Sequence, residues 1–167
     1  MASKKMYDSV SLSEIHPALF IGNVHAAQRT GEWTNILCTA GCQTYADDSK
    51  KTSCPFYDTT NVKTQPVWEA EFHIRNGALI LDAILKENAK SENAKVLVHC
   101  HAGMNRSGSV IVAYAIGMGW KADEAIAYVR RQNSMRLHVE PEQAAITNPI
   151  FEFILRHLSW SGLWSDK

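Results

Sequence analysis

Cys100 and Arg106 stand with five residues between them in the run Val96-Leu-Val-His-Cys-His-Ala-Gly-Met-Asn-Arg-Ser107. A sulfur nucleophile and a guanidinium at that spacing can act on one small anion. The residues between them are enough to curl the backbone so that successive N–H groups point inward, and a helix beginning there adds the positive end of its dipole. A phosphate dianion fits such a cradle. Arg106 supplies a planar fork of donors that grips two phosphate oxygens at once, which a lysine cannot do. A free thiol with pKa about 8.5 is mostly protonated at pH 7, whereas a helix N-terminus and nearby cations lower the value to roughly 3.5–7.5. Cys100 is therefore expected to be a standing thiolate. Gly103 sits mid-loop, where a residue without Cβ permits a left-handed turn or a close approach. Ser107 is placed to donate its hydroxyl to the Cys100 sulfur, and His99 to orient the loop. His101, Ala102, Gly103, Met104, Asn105 and Arg106 line the anion site.

These residues need a strand before them and a helix after them. Val96, Leu97 and Val98 form an apolar run too short for a helix, and Val110 to Met118 is apolar on nearly every face, as a buried helix is. Ile74, Ala78, Leu81 and Leu85 recur at helical spacing, with Gly77 weakening that helix locally. Ala122, Ala125, Ile126 and Val129 repeat likewise, with Asp123 and Glu124 in the first turn and Arg130 and Arg131 in the last. Asn148-Pro149 reads as cap and first position of a final helix whose Phe151, Ile154, Leu155 and Leu158 share a face. Alternating elements with a crossover into the cysteine strand predict an α/β fold: a small mixed central sheet flanked by helices on both faces, with the phosphate-binding loop between a strand and a helix.

His99, Cys100, Gly103, Arg106 and Ser107 match the H-C-x-x-G-x-x-R-S signature, and on those residues the chain resembles the cysteine-dependent protein tyrosine phosphatases, in particular their small dual-specificity branch. Ile15-His-Pro-Ala-Leu-Phe-Ile-Gly-Asn23 with Ala26-Ala27 resembles that family's first strand, and Asn35-Ile-Leu37 its second. The resemblance implies attack of Cys100 on phosphorus, a phospho-cysteine intermediate, and no metal or other cofactor. Phosphoryl transfer to Cys100 also needs a proton for the leaving oxygen, from an acid on another loop. Asp58 is the candidate. It follows Cys54-Pro-Phe-Tyr57, a run suited to a strand, and opens the polar stretch 59–64, at the place where the dual-specificity family carries its acid. Asp47 and Asp48, in an exposed charged loop, are the alternatives.

The branch implies phosphorylated proteins as partners, through phosphotyrosine and phosphoserine/threonine. Asn105-Arg-Ser-Gly108 is also similar to the N-R-T-G loop of RNA 5′-triphosphatases. With 17 basic and 17 acidic side chains the chain has no net charge, and this gives an RNA polyanion little support. Absence of a lysine from the loop disfavours an inositol lipid. A phospho-binding scaffold with little turnover is the reading from a different class.

The 167 residues, 46% hydrophobic, suffice for a single core. One catalytic domain over 1–158 is expected, followed by a tail over 159–167 bearing Trp160 and Trp164, expected to dock on the body. Cys38, Cys42 and Cys54 form no close C-x-x-C pair, and Cys38 and Cys54 read as buried thiols, with capture of oxidised Cys100 as the alternative. With no signal-like or membrane-length apolar stretch, a cytoplasmic monomer is expected, the nucleus remaining open. Arg130, Arg131 and Arg136 are expected on a solvated surface, with the holding of a second phosphate or an acidic substrate segment as the alternative.

Overall fold

The alternation of side chains along three short strands decides how the layers stack. The computed structural model describes residues 8–41 and 47–160. Its strands are β1 (Ser9–Ser11), β2 (Leu19–Gly22), β3 (Asn35–Cys38), β4 (Lys51–Ser53) and β5 (Val96–His99). Its helices are α1 (Val24–Gln28), α2 (Val67–Glu87), α3 (Arg106–Gly117), α4 (Ala122–Leu137), α5 (Pro141–Ala144) and α6 (Pro149–Arg156). The sheet order is β1-β2-β5-β3-β4, with β1 antiparallel to β2 and the other pairs parallel. The sheet is mixed, as expected, and the cysteine strand β5 is central.

Leu19, Ile21, Leu37, Val96 and Val98 enter the main core with Ile74, Leu81, Ile111, Ile126 and Phe151 from α2, α3, α4 and α6. The alternate residues Phe20, Ile36 and Leu97 pack on the opposite face with Ala26, Ala27 and Trp33. Period-two alternation thus sends each strand's apolar residues to both faces. The two layers are unequal, because the second consists of little more than α1 and a 3₁₀ turn at Thr30–Glu32. Among the described residues, no helix is long and apolar enough to cross a membrane.

The strand expected over Cys54 to Tyr57 is displaced: β4 ends at Ser53. Cys54 N–H still donates to the Cys38 carbonyl at 2.8 Å, and Phe56 N–H reaches the Thr39 carbonyl at 3.4 Å, one residue off the register that pairs Ser53 with Cys38. The chain leaves the sheet there and delivers Asp58. The last helix starts as expected, with the Asn148 side chain accepting from the N–H groups of Ile150 and Phe151. The Trp160 indole donates to the Ala113 carbonyl at 2.9 Å, and the Arg75 guanidinium lies 5.0 Å from its ring centroid. Cys42 and Trp164 lie outside the described residues.

Gly77 does more than weaken α2. A Cβ on it would lie 2.6 Å from Val110 Cγ2, so α2 and α3 meet at a distance only glycine allows. Gly77→Ala gains about 1 kcal/mol of helix propensity but overpacks a stiff β-branched side chain at about 1–3 kcal/mol. The variant should melt below wild type, with Val110→Ala restoring part of the loss. A melting temperature above wild type would contradict this packing.

Candidate active site

The loop after β5 is built by fixing its carbonyls. In a trans peptide the C=O of one residue and the N–H of the next point in opposite directions, so a carbonyl tied outward turns the following N–H inward. The Cys100 carbonyl accepts from His99 Nδ1–H at 3.0 Å. His101 O accepts from Val24 N–H at 3.1 Å, Met104 O from Ile146 N–H at 3.3 Å and Asn105 O from Ser109 N–H at 2.9 Å. Ala102 O accepts from Arg136 Nη2 at 3.0 Å, and Gly103 O from Arg136 Nη2 at 2.9 Å and Asn133 Nδ2 at 2.7 Å. Six consecutive carbonyls are thereby engaged. The N–H groups of residues 101–106 have no acceptor among the described residues.

Gly103 adopts φ 73°, and a Cβ there would lie 2.3 Å from the Gly22 carbonyl oxygen and 2.7 Å from Arg136 Nη2. Both conformation and close approach exclude a side chain. Cys100 is 3% exposed, at the base of the curl, with its Sγ 3.2 Å from Ser107 Oγ on the first turn of α3. The Ser107 hydroxyl has the geometry to donate to the sulfur. Arg106 Nη1 donates to the Phe56 carbonyl at 3.3 Å, while its Nε is buried with no partner among the described residues. An oxyanion in the curl would supply the acceptor that this donor lacks.

Asp58 arrives from the segment after β4 and is exposed. Its Oδ2 accepts from Asn105 Nδ2 and its Oδ1 from Asn148 Nδ2, each at 3.0 Å. Asn105 Oδ1 in turn accepts from the N–H groups of Thr147 at 2.6 Å and Asn148 at 3.2 Å. The structure therefore brings Asp58, the phosphate loop and the start of α6 together through two amide side chains. Asn105, expected among the lining residues, commits its side chain to this junction. Asp47 and Asp48 lie elsewhere: Asp47 caps the 3₁₀ turn Asp48–Lys50, and Asp48 pairs with Lys51. His101 and Ala102 are exposed at the loop, and Met104 is half-buried. Beside Arg106, a cavity of about 370 Å³ is lined by Phe56, Tyr57, Gln65, Glu69 and His73.

The arginines of α4 are a correction. Arg136 is 1% exposed and bound to the loop, and Arg130 donates to the carbonyls of Ala145 and Ile146 and to Glu152. Only Arg131 of the three keeps an outward position, its guanidinium 5.5 Å from the Tyr128 ring centroid. The reason is helical phase: Asn133 and Arg136 continue the buried stripe of Ile126 and Val129 at steps of three and four. Burial pushes the Arg136 guanidinium down to about 10, while Cys100 and Asp8 nearby act to raise it, and it stays charged at pH 7.

The family model described as "Dual specificity phosphatase, catalytic domain" matches residues 34–144. The chain belongs to the dual specificity phosphatase family. It is 45% identical over 47 residues to protein phosphatase Slingshot of Drosophila melanogaster, which covers 28% of this chain and 4% of that protein. It is 26% identical over 141 residues to dual specificity protein phosphatase 5 of Rattus norvegicus, covering 81% of this chain and 34% of that protein. The chain thus spans about a third or less of these curated relatives. Human DUSP28 has the same fold, with a TM-score of 0.66 at 20% identity over 93% of this chain and 95% of that one. The phosphatase fold and the family expected from the loop signature are both present.

His99 is fully buried, and burial holds its imidazole at about 4, with the Cys100 carbonyl opposing and the charges of Arg106 and Lys51 adding to the depression. The ring is neutral at pH 7, with the Nδ1 proton on the Cys100 carbonyl. Unfolded chains take up this proton below about 6.5 and the folded protein only near 4, so stability is lost as pH falls through that window. Between pH 7 and 5 the loss from this group is about 2 kcal/mol. Urea titrations should show wild type losing about that much more than His99→Asn, and equal losses would contradict the neutral buried imidazole.

Proposed function

We propose that this chain is a cysteine-dependent phosphatase that removes phosphate from phosphotyrosine and phosphoserine/threonine in proteins through a phospho-cysteine intermediate. The observation that carries this reading is the curl of inward N–H groups with the Cys100 sulfur at its base and the unpartnered Arg106 Nε at its side. In the first step the Cys100 thiolate attacks phosphorus. The S–P bond forms, the bond from phosphorus to the substrate oxygen breaks, and Asp58 gives its proton to that oxygen. In the second step Asp58 takes a proton from water as the water attacks phosphorus. The S–P bond breaks, inorganic phosphate leaves, and the Ser107 hydroxyl stabilises the departing sulfur. The loop N–H groups and Arg106 meet the charge on the equatorial oxygens in both steps.

The junction at Asp58 supports its role. A carboxyl has about four lone-pair positions, so each oxygen can accept one amide N–H and still leave a position for the transferable proton. The amides of Asn105 and Asn148 fix the plane of the group without consuming its chemistry. Asn105, the residue that carries the likeness to RNA triphosphatase loops, is engaged with Asp58 and the backbone at Thr147 and Asn148, and the neutral net charge gives an RNA polyanion little support. The cavity beside Arg106 gives room for the residues flanking the phosphate ester.

The reading is tested by aryl phosphate, phosphotyrosine and phosphothreonine peptides and triphosphate-ended RNA in metal-chelating buffer. Wild type should turn over the aryl phosphate and peptides, and Cys100→Ser should bind phosphate without turnover. Asp58→Asn should lower kcat on phosphopeptides by about 10²–10⁴-fold. Near-full activity of Asp58→Asn would remove Asp58 from the mechanism. RNA turned over in preference to peptides would replace the substrate, and binding without turnover would favour a phospho-binding scaffold.

A further inference from the structure

The six outward carbonyls of the phosphate loop are not held alike. The first two and last two are tied by main-chain N–H groups or by the adjacent His99, through β5, α1, α3 and the segment between α5 and α6. The two in the middle, Ala102 O and Gly103 O, accept only from side chains of α4 among the described residues. By the trans-peptide geometry these two carbonyls set the directions of the Gly103 and Met104 N–H groups, at the apex of the cradle. The apex is farthest from the strand and helix that fix the loop's ends.

We propose that Arg136, seated by Asn133, is a positioning residue for the oxyanion: it holds the Ala102 and Gly103 carbonyls outward and so aims the apex N–H groups at the phosphoryl oxygens. Its guanidinium is built into place. One Nη2 serves both carbonyls, Nε donates to Asn133 Oδ1 at 2.9 Å, and Nη1 lies 3.5 Å from the Asp8 carbonyl. Asn133 shares the load by donating to Gly103 O and to Ala144 O. A cation 1% exposed is costly unless its donors are satisfied, and charged donors hold carbonyls more firmly than neutral ones. The missing Cβ of Gly103 acquires a second reason here, since it would press on the Arg136 Nη2 that grips the same residue's carbonyl. Asp8, whose carboxyl is paired with Arg29 at 2.7 Å, ties the N-terminal edge of the sheet to the same guanidinium.

This inference rests on the phosphatase reading, and tungstate, a phosphate-shaped oxyanion, separates the two because its binding needs no turnover. Calorimetric titration would be made on wild type, Arg136→Lys, Arg136→Met and the surface control Arg131→Met, with melting temperatures alongside. Arg136→Lys keeps charge and approximate length, so it preserves the fold, but its point-charge ammonium cannot hold two carbonyls and Asn133 in one plane. Misaiming a preorganised site by about 1 Å costs about 10²-fold in rate, and losing a hydrogen bond to a charged group weakens binding by about tenfold to 10²-fold. The lysine protein should bind tungstate about tenfold or more weakly, and the methionine protein up to about 10²-fold. Both should lower kcat/KM by at least the same factor, because the apex N–H groups meet the phosphoryl oxygens in substrate and transition state alike. A merely structural role would lower the melting temperature and leave the Kd of the folded protein unchanged. Arg136→Lys binding tungstate as wild type does would overturn the proposal. Wild type failing to bind tungstate would overturn the phosphatase reading and this inference with it.

Discussion

The site depends on the direction of six peptide planes. A loop of ordinary residues becomes an anion receptor because each of its carbonyls finds a donor outside the curl, which leaves the N–H groups facing in. Free peptides do not hold such an arrangement, since parallel N–H dipoles repel one another and each residue loses conformational entropy when fixed. The outward hydrogen bonds offset that cost before any ligand arrives. The receptor is thereby preorganised, and little reorganisation remains for the moment of reaction.

The fold supplies those donors from several directions at once. β5 lies between β2 and β3, so its C-terminal end opens onto the turn after β2, where Gly22 and Val24 approach the loop, and onto β3, where Thr39 binds the His99 carbonyl. Helix α3 is buried from Ser107 to Ala115 and cannot shift its N-terminus without disturbing the main core. Helix α4 packs against α3 and carries Asn133 and Arg136 to the loop's outer side. Core packing and site geometry are consequently one problem: Gly77 brings α2 close to α3, and α3 holds Ser107 beside the Cys100 sulfur.

What could be read from the sequence was what lay contiguous in it. Strand, cysteine, glycine, arginine, serine and helix occur in one run, and the apolar periodicities of α2, α3, α4 and α6 give a layered α/β chain. Asp58 was reachable because a polar stretch opens beside it. Cys54, Phe56 and Tyr57 have the composition of a strand, while the regular pairing ends at Ser53 and the register slips by one residue beyond it. β1 and α1, of three and five residues, are too short to carry a periodic pattern of their own. Arg136 is buried because α4 runs on to Leu137, past Arg130 and Arg131, where the charge pattern places its last turn. Its phase with Ile126, Val129 and Asn133 was the available signal: two polar residues on a core-facing stripe need buried partners, and the loop carbonyls are those partners.

A phosphatase that works through Cys100 passes a phosphoryl group through that sulfur, whereas a phospho-binding scaffold does not. The most direct measurement is mass spectrometry of protein denatured within milliseconds of mixing with excess aryl phosphate, followed by peptide mapping. One phosphoryl group on the peptide containing Cys100, appearing before steady-state turnover and absent from Cys100→Ser, is the expected result. The group carried by another residue, or turnover retained by Cys100→Ser, would show that the cradle serves a different chemistry.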